Sequence, residues 1–236
     1  EERRSSSLKA AHLYEQRSDL ENSVKYCLEA KAYPEAVPMI ERLGTDLLRA
    51  GRRGDLVQWL HALPEETVQG NPWLLFFLTM TKGFMAGREN VVALERAYTL
   101  FKQKGDTKGA LICLPRFIEA SILAGTHLAP IERLIEEGEA LLHQLESNEQ
   151  PYERAVLWYL IGLGYILGEG NIRKGITACQ NAYLISKLLR DTSLQAFALC
   201  FSALGYVLLG EFSLADETRQ RIGKIIEKSV HPEFKA

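Results

Sequence analysis

Four stretches of this chain, 72–86, 108–124, 152–167 and 193–209, are apolar nearly all the way round a helix. A helix that is greasy on every side must be covered on several sides. Between these stretches lie segments with one apolar stripe. The stripe is Val91, Leu94, Tyr98, Phe101 in 90–104, and Ile131, Leu134, Ile135, Leu141, Leu142, Leu145 in 131–145. It is Ile176, Cys179, Tyr183 in 172–190, and Leu214, Thr218, Ile222, Ile225 in 213–228. A striped helix can cover one side of a neighbour. The two types alternate as A-B-A-B, and LGYIL at 163–167 returns as LGYVL at 204–208, forty-one positions on.

The glycines after the apolar segments, Gly87, Gly125, Gly168 and Gly210, are spaced by 38, 43 and 42 residues. A period near 40 made of two helices marks an α-solenoid: no hairpin buries its apolar helix alone, so copies stack. No stretch alternates apolar and polar residues with period two, so no strand is expected. The expected fold class is all-α, a right-handed α–α superhelix of about a dozen helices. Residues 71–236 would supply about four hairpins in one continuous solenoid. Residues 1–70 would form an N-terminal bundle of shorter helices, at about 5–16, 20–31, 34–50 and 54–62, followed by a turn at 63–72. Gly51, Gly87, Gly105, Gly125 and Gly210 suit left-handed helix ends, while Asn71-Pro72, Asp191-Thr192 and Ser213 suit helix starts. Pro115, inside LICLPRFIEA, is expected to kink or break its helix. Both chain ends are abrupt, EERRSSS and HPEFKA, as in an excerpt from a longer polypeptide.

Within the hairpins the chain resembles the tetratricopeptide repeat, although its period is longer. Ala203, Tyr206, Gly210 and Ala215 follow that repeat's small–aromatic–glycine–alanine order, and Gly162, Tyr165 and Gly175 correspond one copy earlier, with an inserted residue near 168–170. In such arrays helix A lines a concave side. The resemblance places Val156, Tyr159, Leu163, Ile166 and Leu167 of one copy, and Phe197, Cys200, Leu204, Val207 and Leu208 of the next, towards the groove. Tight superhelical packing, or burial against a further repeat, would account for the same apolar residues.

A second resemblance covers residues 12–87. The run YEQRSDLENSVKYCLEA, then a segment with IERLGTDLLRAG, then Trp59, Leu60, Leu63, Pro64 and an NPWLL opening the first repeat, is similar to the linker-and-sensor region of MalT-like, LuxR-type bacterial transcriptional regulators. Those are large ATP-dependent proteins, so the resemblance implies a sensor segment controlling a linked ATPase and DNA-binding module. The chain has no GxxxxGK[ST] phosphate loop and no basic helix-turn-helix signature, so neither module lies in this segment. The rival reading is a tetratricopeptide-type protein-interaction scaffold with no small-molecule effector.

A net charge of −2 and pI of 6.3 argue against direct nucleic-acid contact, and Arg49, Arg52 and Arg53 read as a solvated helix end. Four cysteines, Cys27, Cys113, Cys179 and Cys200, form no CxxC pair and suit reduced core thiols in a cytoplasmic protein. The histidines at 12, 61, 127, 143 and 231 show no metal-ligand spacing. Glu136, Glu137 and Glu139 read as a solvated face rather than an acid/base pair, and no serine elbow or cysteine–histidine partnership is present. The most apolar run, 194–209, is short for a membrane span. The segment is therefore expected to be no enzyme, to hold no metal and no cofactor, and to touch no membrane. Its expected partner is a small effector or a partner protein or peptide on the concave face, with self-association left open.

Overall fold

The computed structural model describes residues 2–82, 87–125, 131–145 and 149–230. The last four residues expected in the first apolar helix, together with His127 and His231, lie outside the described residues. Among the described residues there are helices and no strands, so the class is all-α, as the periodicity requires. The chain divides into two units, Glu1–Lys104 and Gly105–Ala236. The expected boundary at 70/71 falls inside the first unit.

The first unit holds α1 (Glu2–Gln16), α2 (Leu20–Glu29), α3 (Tyr33–Arg49), α4 (Arg53–Ala62), α5 (Glu65–Gly70), α6 (Pro72–Lys82) and α7 (Gly87–Gln103). The short α5 occupies what the sequence suggested was a turn; Pro64 precedes it and Glu65 and Glu66 sit in its first turn, where the helix dipole favours carboxylates. Asn71 starts α6: its side-chain oxygen accepts the amides of Trp73 at 3.0 Å and Leu74 at 3.2 Å. Trp73 then meets Phe101 of α7 edge-on at 5.0 Å, and Phe77 packs against Gly44 of α3. Val91, Leu94, Tyr98 and Phe101 are all buried, as their stripe predicts. Arg52 is bound into the fold: it donates to both oxygens of Glu21 at 2.7 Å and to Asp55 at 2.8 Å, tying α4 to α2 and holding the Glu21 carboxyl below its ordinary pKa.

The second unit holds α8 (Thr107–Ala124), α9 (Ile131–Gln144), α10 (Pro151–Gly164), α11 (Ile172–Leu188), α12 (Thr192–Leu208) and α13 (Phe212–Val230). The apolar helices α8, α10 and α12 stack on one another in order, and the striped helices flank them: α9 touches α8 and α10, α11 touches α10 and α12, and α13 touches α12. Asp106, Asn171 and Asp191 cap α8, α11 and α12 through side-chain oxygens that accept the amide three residues on. Ser213 does not cap its helix, which already starts at Phe212, and Asp216 instead accepts from Arg219 and Gln220. Pro115 neither breaks nor ends α8, which runs through it. The ring is buried among apolar neighbours, and tertiary burial outweighs the one backbone hydrogen bond that proline removes.

The inserted residue of the third copy has a visible destination. After α10 the chain winds one π turn, Tyr165–Glu169, before Gly170 takes a left-handed φ of +70°. Gly168, expected to close this helix, sits inside the π turn, and the closing role passes to Gly170. A π turn carries one residue more than an α turn over the same rise. It therefore takes up the extra residue between α10 and α11.

Small residues lie where helix A meets helix B. A Cβ on Gly162 would stand 2.8 Å from the carbonyl oxygen of Gly175 and 2.5 Å from Cys179 Sγ, and one on Gly175 would stand 2.7 Å from the carbonyl oxygen of Gly162. The α10 and α11 backbones meet there with no room for a methyl group. Gly162→Ala is expected to cost about 1–3 kcal/mol as overpacking against backbone that cannot rotate away. Urea unfolding of the full chain checks this, with Gly223→Ala as a control whose added Cβ meets nothing within 4 Å.

Candidate functional site

The ten residues that the repeat resemblance places towards a groove fall into two sets. On α10, Val156 and Tyr159 are buried, and Ile166, in the π turn that follows, is buried too; Leu163 is half-buried, and only Leu167 is open. On α12 the equivalents forty-one positions later are open: Phe197 is 55% exposed, Val207 47% and Leu208 51%; Cys200 is exposed as well, and Leu204 is half-buried. Val156, Tyr159 and Ile166 are thus packed in one copy, while their counterparts Phe197, Cys200 and Val207 are open in the next.

The reason is in the stacking. Tyr159 of α10 lies nearly parallel to two rings of α12, Phe197 at 6.1 Å and Phe201 at 5.7 Å between centroids. The helix that α12 lays over α10 covers the α10 set. α12 buries Leu194, Ala198, Leu199, Ser202 and Gly205, and Gly205 admits Ile176 of α11. Its more open stripe, at helical spacings of three and four, has Phe197, Cys200, Val207 and Leu208 exposed and Phe201 and Leu204 half-buried. Phe201 was absent from the sequence-derived set because the groove positions carried over from the repeat skip it. An aromatic four residues after Phe197 was the available signal.

Two chemical features frame this face. Burial pushes the Tyr159 phenol up to about 12, with Arg116 opposing the shift and Glu119 adding to it. Arg116 itself donates to Glu119 at 2.8 Å on α8. Cys27, Cys113 and Cys179 are buried thiols, as expected, whereas Cys200 sits exposed in the open stripe and departs from the core-thiol expectation. Desolvation raises the pKa of all four, so none is held as an activated thiolate.

Elsewhere the candidate acids are engaged singly. Glu139 accepts from the Tyr165 hydroxyl at 2.8 Å and Glu137 pairs with Arg133 at 3.6 Å. No three His, Cys, Asp or Glu side chains gather as a metal site among the described residues. None of the described helices is long and apolar enough to cross a membrane. In the first unit a cavity of about 410 Å³, open to solvent, is lined by Gln69, Thr79, Lys82, Arg88, Asn90 and Arg96 among others.

Stacked A–B hairpins define an all-α helical-repeat protein of the α–α superhelix class. Among solved structures the chain is similar to BtubC (BKLC) from P. vanneervenii, at 12% identity over 97% of this chain and 91% of that one, with a TM-score of 0.59. MamA aligns at 15% identity over 100% of this chain and 97% of its own, with a TM-score of 0.38. No protein-family model and no curated protein matches the chain.

The split between the two sets is measurable. Tyr159→Ala is expected to cost about 3 kcal/mol, as a large-to-small change under a stacked helix, whereas Val207→Ala on the open stripe should stay below about 1 kcal/mol. Stability should also fall with rising pH across the Tyr159 range. The folded state keeps the phenol proton up to about 12, while the unfolded chain releases it near the ordinary value of about 10. Urea unfolding at about pH 9 and about pH 11 should show a smaller loss in Tyr159→Phe than in the wild type.

Proposed function

We propose that this chain is a protein-interaction scaffold: its second unit holds a partner protein by the open apolar stripe of α12 and does no chemistry of its own. The observation that carries this reading is the stripe itself. Four side chains on one helix face, Phe197, Cys200, Val207 and Leu208, stay open to solvent beside the half-buried Phe201 and Leu204, whereas one copy earlier Val156, Tyr159 and Ile166 are buried. A contiguous apolar surface of that kind marks a binding surface. The absence of any Asp, Glu, Lys or Arg from α12 supports recognition by apolar contact. Helical-repeat folds build such surfaces by stacking.

The test uses a fluorescent, lysine-flanked peptide with Leu and Phe at helical spacings i, i+3, i+4 and i+7, at chain concentrations too low for self-association. Saturable binding is expected, weakened at least about tenfold by Leu204→Asp, the equivalent of one lost buried side chain. An acidic extended peptide of equal length should not bind. Absence of binding by the helical peptide would remove the scaffold reading.

A second reading is favoured by the resemblance of residues 12–87: a sensor segment of a bacterial transcriptional regulator that controls a linked ATPase and DNA-binding module. Lys82, Arg88 and Arg96 outnumber Glu89 in the lining of the first-unit cavity, a balance that would suit an anionic effector. An effector would act through its different affinity for two states of the parent. Titration with candidate anionic metabolites, read by thermal shift in wild type and Arg96→Ala, is the corresponding experiment. A shift present in the wild type and lost in the variant supports the sensor reading.

A further inference from the structure

We propose that the first-unit cavity is a binding site for a small anion with an apolar body, the class that medium-chain carboxylates represent. The inference rests on the sensor reading, gives its effector a chemical class, and is independent of the α12 stripe.

The cavity, about 410 Å³, has the size that takes a small organic ligand. One face of α6 and one face of α7 make most of its wall. On α7, Val91, Leu94, Tyr98 and Phe101 are buried in the core. Arg88, Val92 and Arg96, each four residues from the next, share a different face and line the cavity. Val92 stands 59% exposed there, between two arginines. On α6 the lining includes Leu75, Leu78 and Lys82, at spacings of three and four. Leu75 is buried and Leu78 half-buried, while Lys82, Arg88 and Arg96 are exposed. The floor is therefore apolar and the charge lies on the rim.

The rim charges are spread along the helix. Arg88 and Arg96 are separated by a rise of about 12 Å. The one lining carboxylate, Glu89, adjoins Arg88 and stands about 10 Å of rise from Arg96. Arg96 is thus the lining cation farthest along α7 from that negative charge. It is also held in place, donating to the Gln69 side-chain oxygen of α5 at 3.2 Å.

Other ligand classes fit less well. The Thr79 hydroxyl already donates to the Leu75 carbonyl at 2.8 Å, so the floor has no hydroxyl proton to give. A sugar would set its hydroxyls against Leu75, Leu78 and Val92 without partners. A bare inorganic anion would leave that apolar floor facing water. A cation would meet three positive side chains. An anionic head at Arg96, with its tail across Val92 and Leu78, satisfies both the rim and the floor.

Isothermal titration calorimetry of the full chain with butyrate, hexanoate and octanoate, each below its micelle range, tests the site. Affinity is expected to rise by up to about fourfold per added methylene. Octanol, with the tail and no charge, and citrate, with charge and no tail, should each bind at least about tenfold more weakly than octanoate. Arg96→Gln, with unchanged far-UV circular dichroism, should weaken octanoate about tenfold and leave octanol as it was. Leu204→Asp, on α12, should bind octanoate as the wild type does. Affinity that stays flat with chain length, octanol bound as well as octanoate, a folded Arg96→Gln with wild-type octanoate binding, or octanoate binding lost in Leu204→Asp would each overturn the proposal. Citrate bound through Arg96 with no octanoate binding would sink this inference alone. No binding by any of these anions would take the anionic effector of the sensor reading with it.

Discussion

The second unit depends on the backbone contact between α10 and α11. With no side chain at Gly162 or Gly175, the two helices close until each glycine's carbonyl oxygen occupies the space a Cβ on the other would need. That approach brings Cys179 of the striped helix against Gly162 of the apolar one. Gly205 of α12 makes a different close approach, to the Ile176 side chain of α11. Hydrophobic burial supplies the driving force, but these glycines decide the spacing at which it is collected.

Much of this was legible in the amino-acid order. The alternation of all-round and striped helices foretold the hairpins, because a period of 3.6 with one or several apolar sides says how many neighbours each helix must have. Stripes such as Val91, Leu94, Tyr98 and Phe101 are buried as read. Three local features were not legible. Pro115 passes through α8 because its surroundings outweigh a backbone preference, and burial is a tertiary property. Gly168 looks like a helix stop, and only the winding shows that Gly170 fills the role. The helix α5 has six residues, too few for any periodicity to declare itself.

The candidate face shows a different limit. Val156 and Phe197 hold equivalent places in the repeat, yet one is buried and the other half open. Nothing in either helix distinguishes them. Exposure in a stacked fold belongs to the position in the stack, since within the second unit α10 packs against α8 and α12 against α10. A pattern read within a single copy therefore gives which face is greasy and leaves open whether that face is occupied. Cys200 follows the same logic: it looked like its three buried counterparts because the chemistry of its neighbours is the same.

The π turn at Tyr165–Glu169 bears on how such arrays can change in length over generations. A codon gained inside a rigid rod would rotate everything downstream by a hundred degrees and turn the greasy side outward. A single widened loop of winding takes up that slack locally, so the copies on either side can keep their pairing while the gene between them drifts by one triplet.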